Sequence, residues 1–213
     1  MSIGKIVVGL GAGIALAVAA FAPASAQEGE FDGAGFTCLK YTSGQGNNSS
    51  GKVQADLARL WMTGYLSGYY KAKGNLDIVD SEDAAEKLAK TFASKCREYP
   101  DTSILTVALQ AISKEKTSIP AMAAPDFNPQ SYTCGNHVDA KEGSAAEAMK
   151  SDLADMWAFA FIQGYKNLDQ PDMVIPLENK PVLTGAVTKN CAKNRDTSFF
   201  DLTAMVAQAV KLQ

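Results

Sequence analysis

Cys38, Cys96, Cys134 and Cys191 are the residues of this 213-residue chain with the most definite chemistry. Thiols close disulfides, hold soft metals or, beside a base, act as nucleophiles. Zinc is usually bound by closely spaced pairs of ligands, whereas Cys134-Gly135-Asn136-His137 is one Cys-x-x-His half-site with no second half. His137 is the only histidine, so it reads as a surface side chain and no metal centre is expected. Nucleophilic catalysis would need a Ser-His-Asp or Cys-His set, and a lone histidine offers little to build one. The glycines of residues 9–13 lie in an apolar leader, and the Gly44–Gly51 stretch lacks the Lys-Ser ending of a phosphate loop. Carboxylates are plentiful enough for glycoside hydrolysis, yet nothing in their spacing selects a pair. The expectation is a protein that is not an enzyme, uses no cofactor and commits its cysteines to disulfides.

The acids concentrate in one kind of place. Asp77, Asp80, Glu82, Asp83 and Glu86 surround the expected start of a helix, and Asp169, Asp172 and Glu178 lie in a matching region downstream. Exposed amides and the helix dipole stabilise a carboxylate there in its charged form. Such groups serve as caps on a solvated face, and they also couple stability to pH. A carboxylate whose folded pKa lies below its unfolded value near 4 stabilises the fold at neutral pH. That contribution is lost as pH falls through the folded value. Asp77, Asp80, Glu82, Asp83 and Asp172 are the candidate pH-sensing residues.

These residues sit in a stretch that the chain contains twice. Thr37-Cys38, the run from Asp56 through Trp61 to Gly68-Tyr69, Cys96, and Asp101-Thr102-Ser103 return in the same order. Their copies are Thr133-Cys134, Asp152 through Trp157 to Gly164-Tyr165, Cys191, and Asp196-Thr197-Ser198. The offset is 96 at the first cysteines and the tryptophans and 95 at the second cysteines, so one residue is lost between Tyr165 and Asp172. All three connectivities of four cysteines are symmetric under exchange of the repeats. A repeat that folds as a unit would pair Cys38 with Cys96 and Cys134 with Cys191. Each bridge would then close a loop of about 58 residues, worth roughly 4 kcal/mol in the chain-entropy model.

Helical periodicity fills each copy. Val53, Leu57, Leu60, Trp61, Tyr65, Gly68 and Tyr69 recur along one central helix, with Gly64 and Gly68 one turn apart and Ala160 and Gly164 in the copy. Small residues at that spacing predict a seam where another backbone approaches closely. After a turn over Lys71–Asp80, Ser81 is placed to cap a helix carrying Ala85, Leu88, Phe92 and Cys96, matched by Lys180, Leu183, Val187 and Cys191. A last helix follows Ser103 through Ile112, and its copy runs from Ser198 towards Val210. Pro120, Pro125 and Pro129 make 113–131 an extended connection rather than a helix. The expected organisation is all-α: a small helical domain of about four helices at 36–112, a proline-rich linker at 113–131, and a second such domain at 132–213.

Residues 1–26 read as a cleaved signal peptide. Lys5 gives the positive start, Ile6–Ala20 the apolar run, and Ala24-Ser25-Ala26 the small-residue cleavage site. The apolar run is short for a span, which needs roughly twenty residues. Export to the periplasm follows, where disulfides form. The chain carries 20 Lys and Arg against 23 Asp and Glu, and loss of Lys5 moves the net charge from −3 to near −4. No nucleic-acid partner is expected from that balance. In strong acid the carboxylates are neutral, and a net charge near +20 repels itself.

The opening cysteine, the helix Trp61-Met62-Thr63-Gly64-Tyr65-Leu66-Ser67-Gly68-Tyr69, the Asp77-Ile78-Val79-Asp80 turn, and Cys96 followed by Pro100-Asp101-Thr102-Ser103 resemble the HdeA/HdeB family of periplasmic acid-stress proteins. The resemblance covers 36–112 closely and 132–210 more loosely. It implies small all-helical domains with one disulfide each, dimeric at neutral pH, which loosen in strong acid and hold denatured periplasmic proteins on exposed apolar surface. On that reading the candidate client-binding residues are Trp61, Tyr65, Tyr69, Trp157, Phe161 and Tyr165, which are core residues while the fold is intact. The chain departs from the pattern in its tandem fusion, its longer cysteine spacing, and Ala160 and Arg195 where the first repeat has Gly64 and Pro100. Tandem fusion implies self-association within one chain as a pseudo-dimer. A second expectation, from another class, is a folded periplasmic binding or inhibitor module acting at neutral pH.

Overall fold

Side-chain caps and apolar stripes place eight α-helices among the described residues, which in this computed structural model are 31–45, 49–112, 117–124 and 127–211. The expected signal peptide, 1–26, lies outside them, as do the centre of the Gly44–Gly51 stretch and parts of the proline-rich connection. The first repeat contains α1 (Cys38–Gly44), α2 (Ser49–Lys73), α3 (Glu82–Glu98) and α4 (Ile104–Gln110). The second contains α5 (Cys134–Lys141), α6 (Ala145–Asn167), α7 (Lys180–Cys191) and α8 (Phe199–Ala209). Two short strands, β1 (Leu76–Val79) and β2 (Thr117–Pro120), pair in parallel.

The repeated Thr-Cys and Asp-Thr-Ser motifs are two sides of one local device. Thr37 and Thr133 cap α1 and α5, and Ser103 and Ser198 cap α4 and α8, each accepting a backbone N–H that the helix leaves unpaired. The two caps of each repeat meet as an antiparallel bridge, Thr37 with Ser103 and Thr133 with Ser198. There the Cys38 N–H donates to the Thr102 carbonyl at 2.8 Å, and the Cys134 N–H to the Thr197 carbonyl at 2.9 Å. The disulfides tie the same first helices to α3 and α7: Cys38 bonds Cys96 and Cys134 bonds Cys191, so both lie within their own repeat.

The central helices run as the periodicity predicts, and Ser81 caps α3. Where the sequence reads as a turn over Lys71–Asp80, the last four residues before Asp80 instead form β1. They are held by Thr117–Pro120, from a segment that local patterning cannot reach.

Residues Phe31–Gln213 cluster as one compact unit, and the buried side chains of both repeats join in a single core. The two expected halves are thus packed on each other, for a physical reason. A helix of Trp, Tyr, Met and Leu on nearly every face needs cover on more than one side, and α2 and α6 cover each other. The proline-rich connection also belongs to the core. Thr117–Pro120 is extended and pairs beside β1 with Ile119 buried, and the Phe127 ring is set edge-on to Trp157, Tyr132 and Phe199.

Candidate functional site

The small residues of α2 and α6 meet where the two helices cross. A β-carbon on Gly64 would lie 2.6 Å from the Trp157 carbonyl oxygen and 3.2 Å from the Ala160 side chain. One on Gly68 would overlap the Phe161 carbonyl, and one on Gly164 would overlap the Tyr65 carbonyl. Tyr65 and Phe161 are equivalent residues, and so are Gly68 and Gly164, so the contact is reciprocal. Each repeat offers the same glycine to the other's backbone.

That crossing gathers the six aromatic residues singled out for client binding. Trp61 stacks on Tyr65 with ring centroids 5.4 Å apart, and Trp157 tilts against Phe161 at 5.1 Å. These four are buried, while Tyr69 and Tyr165 are half-buried at the ends of the stripe. The Tyr65 hydroxyl donates to Asn167 Oδ1 at 3.0 Å, and Gln163 Nε2 donates to the same oxygen at 2.7 Å. Burial pushes the Tyr65 hydroxyl well above the usual tyrosine range. Each repeat thus brings an aromatic stripe to the crossing, with Trp61, Tyr65, Trp157 and Phe161 inaccessible while it is closed.

The acids proposed as pH sensors do not converge. Asp77 lies on β1, half-buried, and its carboxylate accepts from Ser118 Oγ at 3.2 Å. Asp80, Glu82, Asp83 and Asp172 are exposed, the middle pair in the first turn of α3. Glu86 pairs with Lys90 at 2.6 Å on the open face of α3, and that contact holds its carboxyl below the usual range.

A buried titratable cluster instead forms in the second repeat, around His137, which the sequence reads as a surface side chain, and at residues that its patterning does not single out. His137 is a core residue with 0% exposure, not a surface one. Its ring packs 4.7 Å from Phe199 and 6.3 Å from Tyr132. Nε2 lies 3.0 Å from Thr188 Oγ1 and 3.4 Å from Asp155 Oδ1, and Nδ1 lies 3.3 Å from Ser151 Oγ. Lys141 Nζ donates to the other Asp155 oxygen at 2.7 Å, and Lys180 faces the same carboxylate from α7. Burial, with the nearby Lys141 charge, pulls the His137 pKa down to about 4. Burial also raises the Asp155 carboxyl, against the Lys141 hydrogen bond. At neutral pH the cluster is therefore a neutral imidazole beside a lysine–carboxylate pair.

The repeat itself held the missed signal. The positions matching His137, Ser151, Asp155 and Thr188 are Tyr41, Ala55, Arg59 and Ala93. Three polar residues replace a tyrosine and two alanines around one point, with a charge reversal beside them. Such a change is coherent only if the four side chains meet.

Both disulfides are of the kind that form in an oxidising, exported environment. Among the described residues no helix is long and apolar enough to cross a membrane. Among the same residues no cluster of three or more potential metal ligands occurs. Comparison with protein-family models, curated proteins and solved structures finds no match to this chain.

Proposed function

We propose that this chain is an exported acid-stress protein of the HdeA/HdeB kind, delivered to the periplasm by a cleaved leader at 1–26. It acts as an ATP-independent chaperone that loosens at low pH and holds unfolded proteins on helix faces that are buried at neutral pH. The observation that carries this reading is the buried His137 cluster beside the aromatic crossing of α2 and α6.

The sign of the effect follows from linkage. His137 has a folded pKa of about 4 against an ordinary 6.5. The unfolded chain binds this proton more tightly, so stability is full above pH 6.5 and is lost as pH falls towards 4. The loss is roughly 3 kcal/mol once both states are protonated, a large part of a typical folding free energy. Asp155, raised by burial, works in the opposite sense when taken alone. Once it is neutral, however, it leaves His137 and Lys141 as two cations without their shared anion. The disulfides stay closed throughout, so the chain opens into two stapled halves rather than a random coil.

Light scattering of an acid-labile client at pH 2 to 3, with oxidised protein, tests the proposal. Suppression at stoichiometric amounts, absent at pH 7 and accompanied by a change in Trp61 and Trp157 fluorescence, is the expected result. A chain that stays folded in acid, or opens without protecting the client, would turn the function towards a folded binding module.

A further inference from the structure

The repeats differ in what covers one strand edge. In the first, β2 runs parallel to β1 and packs on α3, the Ala121 N–H donates to the Val79 carbonyl at 2.8 Å, and Ile119 is buried at 1% exposure. In the second, Asp172-Met173-Val174 stands 95 positions after Asp77-Ile78-Val79, and among the described residues no strand pairs with it. Its inward groups are occupied. The Met173 carbonyl accepts from Gln163 Nε2 and Asn167 Nδ2, both at 2.8 Å, and the Ile175 N–H donates to Gln163 Oε1 at 2.6 Å. In each trans peptide the carbonyl and the N–H point in opposite directions, so the groups bonded to those inward ones face away. Val174 therefore presents its N–H and carbonyl outward, as Val79 presents its carbonyl to Ala121, and among the described residues neither group has a partner.

Beside this edge lies a mainly apolar groove of about 510 Å³, lined by Val174, Val182, Leu183 and Ala186 among its apolar residues and by Asn179 and Lys211 as its polar ones. Val174 is 49% exposed and Val182 72% exposed. Val182 and Ala186 stand where the first repeat has Lys87 and Thr91, so the second repeat has become more aliphatic at an exposed place. An open backbone edge beside an exposed aliphatic floor is the arrangement used in strand addition. The first repeat shows the chemistry of the occupant: Thr117-Ser118-Ile119-Pro120, extended, uncharged, with one aliphatic side chain turned into the core.

We propose that the groove between Asp172–Pro176 and α7 docks an extended, uncharged segment of a partner polypeptide, which adds in parallel to Val174 and seats an aliphatic side chain against Val182 and Leu183. Docking takes place on the folded protein at neutral pH and does not depend on the acid-chaperone reading.

The test is an amide-resolved NMR titration of the oxidised protein at pH 7 with a blocked peptide of the sequence of residues 117–123, and with the same peptide N-methylated at the alanine equivalent to Ala121. Saturable shifts centred on Met173, Val174, Ile175 and Val182 are expected. N-methylation, which removes the donor to the Val174 carbonyl while adding apolar surface, weakens binding at least about tenfold. Val182→Lys, which restores the first repeat's charge, weakens it similarly, whereas Met205→Lys on exposed α8 surface does not. Absence of shifts at Val174, shifts at β1 through exchange with β2, or binding indifferent to N-methylation would each overturn the proposal. So would concentration-dependent self-association that protects Val174 and Val182, because the occupant would then be a second copy. A chain that protects clients at pH 2 but ignores the peptide at pH 7 refutes this proposal alone.

Discussion

At the scale of the residue, His137 decides most about the acid response. Glutamine keeps a hydrogen-bonding group between Ser151 and Thr188 but cannot titrate. Urea unfolding at pH 7 and pH 4.5 separates the two cases. The native protein loses roughly 2 to 3 kcal/mol through this group between those pH values, and His137→Gln removes that increment while lowering stability at pH 7. The glycines of the crossing give a second pair of expectations. Gly68→Ala places a methyl against the Phe161 carbonyl and costs about 1 to 3 kcal/mol in thermal or urea unfolding. Gly185→Ala, in α7 with nothing near its β-carbon, raises stability by roughly 0.5 to 1 kcal/mol, the helix-propensity difference. The seam of small residues was legible in the sequence because glycine at a four-residue spacing has one obvious packing use. His137 was not, because one polar residue reveals its surroundings only when Ser151, Asp155 and Thr188 are known to face it.

The elements were legible where local chemistry fixes them. Serine and threonine caps, the apolar stripes and Pro100 mark helix ends without help from the rest of the chain, which is why α3, α4 and α8 begin at the residues their caps predict. β1 was not legible as a strand, because its partner lies about forty residues away and only pairing makes four such residues a strand. The same pairing has a measurable weight. Ile119→Ala removes a buried aliphatic side chain from the strand paired with β1 and costs about 2 to 4 kcal/mol by urea unfolding. Loss of amide-exchange protection along Leu76–Val79 should accompany it. Of the candidate pH sensors only Glu82 and Asp83 stand in a helix first turn, and the sequence could not show that Asp77 sits on a strand or that Asp80 and Asp172 are exposed outside any helix.

Over the whole molecule, the sequence disclosed the repeat and its two staples but not that the copies complete one core. Side-chain periodicity says that a helix face is buried, not against what. Because α2 and α6 bury each other, the halves should melt together. Single-tryptophan variants, Trp61→Phe and Trp157→Phe, are expected to report coincident midpoints in urea at pH 7, and two separated transitions would contradict a shared core. The reciprocal crossing also sets an order of events in time. A chain delivered from its N-terminus presents α1 to α4 and both cysteines of the first bridge before α6 exists. During that interval the first half can be oxidised while Trp61, Tyr65 and Gly68 still lack their cover. The second half is thus the late-arriving lid of the first, and the rate at which residues 145–167 follow determines how long that aromatic face stays open to other chains.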